Sequence, residues 1–419
     1  MIQNFINIQK YLFFLIPLVL ITGPFLPDLF ISLIGILFLI NKYLKRELDF
    51  RKIDFYGKAF FLWCIYLLCI SMFSRDPLLS LESSLFFFRF GVFAYAVSEL
   101  VSDRDNLIKF FQVSIASIFF VIIDGFIQYF LGFNLFGFQY DSYRMVSIGN
   151  DYFVGHYLVR MIPIVFAITL LFFHDHKKIV FLMMIFFITA DVLIFLSGER
   201  TSFFMMILFT FLIIISLSRW KLIRIMSALI AIIIITLLLS SDNSIKLRMV
   251  NQTINQTESS VTFSPEHDLL YESAYNMFLD NPLFGVGPKI FRLRCSDLEY
   301  GKDIFGHKKK ITTWSDNKSC NTHPHNYYLQ LLAETGIIGT LPVILFLFLI
   351  LTLIIRHLFA YYISQKIILT DYILCLLISV LVQLWPIMPH MSFFSNRTNV
   401  FLFLTLGLIM AYRNLKKNI

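Results

Sequence analysis

The chain has 419 residues, 58% of them hydrophobic and only 15% charged, with 49 Phe and a mean hydropathy of +0.75. Soluble domains are about 45–50% apolar and about 25% charged, and ordinary cores of a chain this size could not bury the excess; disorder, a disulfide scaffold and nucleic-acid binding are excluded with it. The apolar runs are too long for the alternating strands of an outer-membrane barrel, which leaves an all-α polytopic membrane protein whose net charge of +8 reflects topology rather than a polyanionic partner.

A bilayer core about 30 Å thick takes roughly 17–25 mostly apolar residues per helix. On that ruler about twelve transmembrane helices follow, near 11–26, 28–41, 59–74, 84–98, 107–131, 152–173, 179–197, 201–217, 222–240, 336–355, 367–386 and 398–412. The short stretches 28–41 and 84–98 borrow flanking residues. The run from 179 to 217 is split at the polar Ser197-Gly198-Glu199-Arg200-Thr201. Tyr11 to Ile21 is apolar with no small-residue cleavage site after it, so the first span is expected to stay as an anchor.

With the N-terminus inside, the inner segments carry Lys10, Lys42, Lys45, Arg46, Arg51, Lys52, Lys58, Arg104, Lys109, Lys177, Lys178, Arg219, Lys221, Arg224, Arg356, Lys366, Arg413, Lys416 and Lys417. The short outer loops carry only Arg75, Arg144, Arg200 and Arg397. That bias sets both termini in the cytoplasm. Residues 1–240 then hold nine spans, 241–335 form one large outer loop, and 336–419 hold the last three.

A loop that long is expected to be folded and functional. Ser264-Pro265 reads as an N-cap with proline at the first helical position. Leu270, Ala274, Met277 and Phe278 line one face until Asn281-Pro282 stops the helix. Cys295 and Cys320 both fall in this loop, in what would be an oxidising compartment of a bacterium. A bridge between them is expected, with two free thiols as the alternative.

Thr322-His323-Pro324-His325-Asn326-Tyr327-Tyr328 opens the next helix, and Pro324 suits its first position. His325, Leu329, Leu332 and Gly336 then share a face. A histidine in a first helical turn has its charged form disfavoured by the macrodipole, which keeps a neutral imidazole ready to accept a proton. A capping or packing histidine fits the same spacing. Arg89, Asp124, Arg160 and Asp191 fall inside spans, where charge is costly and finds a partner; Asp124 and Arg160 are expected to pair with each other or with Arg89. Arg200, at the outer surface, is placed to hold phosphate oxygens with its planar fork. Arg292 and Arg294 follow the turn Leu283-Phe284-Gly285-Val286-Gly287-Pro288 and precede Cys295.

The His325 helix, the phrase from Asn281 to Pro288, and Arg200-Thr201 together resemble the O-antigen ligase and polymerase superfamily. The stretch from Arg144 to Pro163, with Gly155-His156-Tyr157-Leu158-Val159-Arg160, is similar to one found in a branch of that group. The resemblance implies a bacterial inner-membrane glycosyltransferase with its active site facing the periplasm. The donor it implies is a glycan on undecaprenyl diphosphate. The acceptor is lipid A–core for a ligase or another carrier-linked repeat for a polymerase, and membrane lipid surrounds both. Neither a nucleotide sugar nor a metal is needed, so no cofactor is expected. His325 would be the general base, and Arg200, Arg292, Arg294 and His267 would hold the diphosphate. Arg144, Arg160 and Glu334 would support them, and the anomeric centre would invert. One departure stands out: ligases of this group usually carry an arginine four residues before an aromatic at the start of the loop helix, and here His267 precedes Tyr271. A secondary transporter or flippase is the rival class, but it calls for repeats in two halves that the sequence does not show; a non-catalytic scaffold would leave His325 dispensable.

Overall fold

The computed structural model describes residues 2–49, 51, 53–141, 144–297, 300 and 320–418. The described residues form helices α1 (Ile2–Val19), α2 (Phe25–Leu44), α3 (Phe55–Met72), α4 (Pro77–Ser84), α5 (Phe88–Leu100), α6 (Arg104–Leu131), α7 (Val154–Phe172), α8 (Lys177–Leu196), α9 (Arg200–Ser216) and α10 (Lys221–Ser241). After α11 (Asn243–Lys246), a π-helical turn over Leu247–Asn251 and α12 (Gln252–Glu258) come α13 (Pro265–Asp280), α14 (Phe291–Arg294), α15 (Tyr327–Ile363), α16 (Asp371–Gln383) and α17 (Asn396–Asn418). Two isolated bridges, Phe133 with Gln139 and Asp141 with Arg144, are the extended pairings among the described residues. The protein is an all-α polytopic membrane protein. Among the described residues nine helical stretches are long and apolar enough to cross a bilayer, and α9 and α16 are shorter apolar helices.

Each expected apolar stretch falls on a helix, with shifted ends. The first runs over α1 rather than 11–26, because Gly23 (φ +116) and Pro24 turn the chain there. The stretch 84–98 is built from α4 and α5, which together count as one span. Aspartates start several helices: Asp54 accepts from Gly57 N at 2.7 Å and Asp76 from Leu79 N at 3.1 Å. Ser264 caps α13 through His267 N, with Pro265 at the first position.

α7 is the centre of the assembly. Nearly every side chain from Val154 to Leu170 is buried, against α6, α8, α9, α16 and α17. α17 also packs along α5, and α10 along α8. A second, smaller core joins the loop to α15: Leu270, Tyr271, Ala274, Met277, Val286, Ile290, Phe291 and Ala333 pack together.

The intramembrane charges pair differently from the sequence expectation. Asp124 accepts from Leu135 N at 2.8 Å, tying α6 to the loop after it, and Arg89 pairs with Asp28. Arg160 turns to His156 instead, with its guanidinium 3.0 Å from the His156 carbonyl oxygen. Asp191 takes a bidentate pair from Arg224 at 2.6 and 3.0 Å, and the guanidinium lies 4.6 Å from the Phe187 ring centre. Arg224, grouped by sequence with the topological charges, is only 2% exposed; a desolvated carboxylate needs that partner.

Candidate active site

The turn between α8 and α9 makes the foundation. Gly198 takes φ +71, and Glu199, 3% exposed, reaches across to the start of α7. Its carboxylate accepts from Gly155 N at 3.0 Å, His156 N at 2.9 Å and Ser202 Oγ at 3.0 Å. Glu199 is thus the acceptor for two orphan N–H groups of a buried helix end, and it unites two motifs that lie far apart in sequence. Burial pushes its pKa up to about 7, against the pull of the Gly155 N–H and the Arg144 guanidinium. Gly155 is glycine because a Cβ there would come within 2.7 Å of Ser197 Oγ and 3.0 Å of Ser202 Cβ.

Three arginines gather above this turn. Arg200 is the first residue of α9, and its guanidinium donates to Thr253 Oγ1 at 3.3 Å. Arg248, on the π-helical turn, donates through Nε to Gly198 O and through Nη1 to Gln252 Oε1, both at 3.3 Å. Arg144 stacks 3.8 Å from the Tyr152 ring centre, and its buried Nε has no hydrogen-bond partner among the described residues. Burial first, then the charges of Arg200 and Arg144, lower the Arg248 pKa to about 10. Cations this close disfavour one another's charge. Arg248 carries no sequence motif, and tertiary placement alone brings it here.

The histidines lie beside them. His325 does not sit in the first turn of α15: the helix starts at Tyr327, and Asn326 caps it by accepting from Tyr328 N at 3.0 Å and Leu329 N at 3.1 Å. His325 stands just ahead of the cap with φ +57. Its backbone carbonyl accepts from His390 N at 2.6 Å, and its Nδ1 lies 3.1 Å from the His390 carbonyl oxygen. A carbonyl only accepts, so Nδ1 carries the proton and Nε2 presents the lone pair. Asn321 Nδ2 lies 3.3 Å from that Nε2. Burial lowers the His325 pKa, and the His390 carbonyl works against it.

His267 lies with its ring centre 5.7 Å from that of His325, and its Nδ1 is 2.7 Å from Ser264 Oγ. Burial, His325 and Arg200 depress its pKa to about 4, so it is a neutral ring at pH 7 and supplies no cation in place of the arginine. The His323 ring centre is 4.2 Å from that of His325, with a buried Nε2 that has no hydrogen-bond partner among the described residues; burial and His325 depress its pKa to about 3. The His390 ring stacks 4.1 Å from the Tyr327 ring centre. Among the described residues no three His, Cys, Asp or Glu side chains converge as a metal-binding set.

Cys295 and Cys320 are bonded to each other, which pins α14 to the histidine segment. Arg292 stands in the field of His323, and its buried Nε has no hydrogen-bond partner among the described residues. Arg294 points elsewhere: it bridges to Asp297 at 3.2 Å and lies 4.7 Å from the Tyr300 ring centre. Glu334 is fully buried and structural in its contacts, taking Gln330 Nε2 at 3.0 Å and Phe291 N at 3.2 Å. Arg160 lies deeper, against His156 and Tyr327. Arg397 binds Asp151 and the carbonyl of Leu20 at 2.9 Å, fixing the loop below Arg144. The structure therefore brings together Arg144, Arg200, Arg248, His267, His323 and His325, leaves Arg294 and Glu334 to the scaffold, and adds His390.

Residues 180–344 match the family model described as O-antigen ligase. Over that segment the chain resembles the O-antigen ligase and polymerase superfamily. The segment runs from α8 through Glu199, Arg200 and the loop to about the middle of α15, and it contains His325. No curated protein matches the chain. Activity of O-antigen ligase or polymerase type at a bacterial inner membrane goes with this superfamily.

Proposed function

We propose that this chain is a member of that superfamily, an inverting glycosyltransferase that moves a glycan from undecaprenyl diphosphate to a sugar hydroxyl at the periplasmic face, with lipid A–core as acceptor. The observation that carries the reading is the pairing of a base of fixed tautomer with a cluster of mutually repelling arginines. His267 links the two, 5.7 Å from His325 between ring centres and within the field of Arg200.

The acceptor hydroxyl gives its proton to His325 Nε2 as its oxygen bonds the anomeric carbon. The bond from that carbon to the diphosphate oxygen breaks on the opposite face, and the leaving group keeps the electron pair. The growing negative charge falls among Arg200, Arg248 and Arg144, where preorganised cations act most strongly. Arg292 and His323, each with an orphan nitrogen, stand on the His325 side and serve the acceptor. Removing a general base costs about 10²–10⁴ in rate.

The carrier-linked repeat as acceptor is the second reading, favoured by the absence of an arginine at His267. Both readings are tested by expressing His325→Ala and Arg200→Ala in a strain lacking the native gene and examining surface glycan on a gel. Long carrier-linked polymer with bare lipid A marks a ligase, and a single repeat on lipid A marks a polymerase. Unchanged glycan in both variants rejects the transferase.

A further inference from the structure

The sequence phrase from Asn281 to Pro288 sits in a loop, yet the structure carries its first half well below the outer end of α3. Tyr66 Oη donates to Thr335 O at 2.6 Å, and Trp63 Nε1 to Gly339 O at 2.7 Å. Tyr66 lies six residues before Met72, the last of α3, and at 1.5 Å per residue that is about 9 Å inward from the helix end. α15 breaks at this level, at Gly336 (φ +62). Pro282 O and Leu283 O accept from Ile337 N at 2.9 Å and Ile338 N at 3.3 Å, so the turn caps the lower part of α15. Hydrocarbon tolerates irregular backbone only where its polar groups are satisfied by protein, and these hydrogen bonds meet that condition.

The described residues leave the side chains at the turn about half uncovered. Leu283 is 54% and Phe284 56% exposed, and Ile337 and Ile338, on the membrane helix beside them, are also exposed. Leu279 and Tyr275, four and eight residues before Leu283, extend the exposed strip up α13. The strip is continuous with the outward face of a helix that spans the bilayer, and depth rather than exposure alone identifies what covers it.

We propose that the turn Pro282-Leu283-Phe284 is immersed in the hydrocarbon of the leaflet on the side of the active site, with acyl chains of bulk phospholipid covering Leu283, Phe284 and the Leu279 end of α13. Leu283 and Phe284 then act as an anchor for α13, which carries His267. Immersion holds the histidines no more than about 12 Å beyond the break, the length of the eight-residue rise from Tyr327 to Thr335. This inference does not depend on the transferase reading.

The test is nitroxide accessibility in the full chain, with Cys64, Cys69 and Cys375 replaced by alanine and the Cys295–Cys320 bridge retained. Labels are placed singly at Phe284→Cys, Leu283→Cys and Leu279→Cys. Phe348→Cys, exposed on the lower part of α15, and Glu258→Cys, exposed on α12, serve as references. In vesicles of phosphatidylethanolamine and phosphatidylglycerol, power saturation with oxygen and with a water-soluble nickel chelate is compared. The expected result is an oxygen-to-nickel ratio at positions 283 and 284 within a factor of about two of Phe348, and several-fold above Glu258. A ratio matching Glu258 overturns the proposal. Labels shielded from both reagents until undecaprenyl phosphate is added also overturn it, because they would mark a carrier groove rather than bulk lipid. Leu279→Cys, outside the turn, reports independently if a turn variant fails to fold.

Discussion

Replacing Gly285 by alanine tests whether the glycine turn and the break in α15 form one joint. Gly285 has φ +67, and a Cβ there would lie 2.4 Å from the carbonyl carbon of Glu334, 2.5 Å from Thr335 N and 2.6 Å from Gly336 N. Carbon atoms in contact settle at about 3.5–4.0 Å, so one backbone must retreat by about 1 Å. Retreat weakens the hydrogen bonds from Val286 N to Ala333 O (3.0 Å) and from Gly287 N to Glu334 O (2.8 Å). Left-handed backbone costs a non-glycine residue about 1–2 kcal/mol, and overpacking adds about 1–3 kcal/mol. The first cost can be measured alone at Gly132, the C-cap of α6, which has φ +82 and nothing within 4 Å of an added Cβ. Gly132→Ala is expected to destabilise by about 1 kcal/mol and Gly285→Ala by about 2–5 kcal/mol. In a chain this long 1 kcal/mol moves the midpoint by about 2 °C, so thermal unfolding in detergent should separate the two variants by a few degrees. Glycan transfer should fall for Gly285→Ala alone. If Gly285→Ala melts no lower than Gly132→Ala, the turn is not seated on α15 and the argument collapses.

Glu199→Ala leaves Gly155 N and His156 N buried without their acceptor, at about 1–3 kcal/mol each. Glu199→Gln should lose about half as much, and Glu258→Ala, on an exposed residue, should melt like the parent. Replacing Cys295 and Cys320 by serine opens a crosslink of sequence separation 25, worth about 3 kcal/mol, and frees the histidine segment from α14; dithiothreitol should reproduce both the lower midpoint and the lower transfer in the parent and change neither in the double variant. Below pH 6.5 the unfolded chain takes up protons that the buried site refuses, since His267 is depressed to about 4 and His323 and His390 to about 3. Their contribution to stability is therefore complete above pH 6.5 and lost as pH falls toward 4 and 3. Glu199, raised to about 7, works in the opposite sense between pH 4.5 and 7. The midpoint should drop on acidification, most steeply in Glu199→Gln, and a flat profile in that variant would contradict the assignments.

The spans were legible because an apolar run of bilayer length has one inexpensive conformation in lipid. Their ends were less so. The polar start of α1 reads as a tail, yet Gln9 donates to Ile34 O at 3.2 Å and accepts from Asn41 at 3.3 Å, a pairing between residues about one helix apart that no local pattern announces. Arg224 and Asp191 show the same limit. Each has a plausible local role, as a topological charge and as a stray acid, and only the packing of α8 against α10 shows that they satisfy each other.

At the candidate site, the relations between side chains were less legible than their types. A helix dipole acting on His325 would lower its pKa and leave the tautomer open, whereas the His390 carbonyl fixes the proton on Nδ1 and aims the lone pair of Nε2 toward Asn321. That carbonyl comes from the loop between α16 and α17, 65 residues away and outside the segment 180–344 that defines the family match. The loop is knitted to the start of α15 by Asn326 Nδ2 to Pro386 O at 3.0 Å, Tyr328 Oη to Leu384 O at 2.7 Å and Phe393 N to Gln330 Oε1 at 2.8 Å. A backbone carbonyl has no side-chain signature, so the group that orients His325 cannot be recognised as a residue type at position 390. What sequence does offer is Pro386 and Pro389 beside His390, each fixing φ near −65° in a short connection between two apolar helices. Rigidity of that connection, rather than the histidine ring alone, is what holds the tautomer of His325.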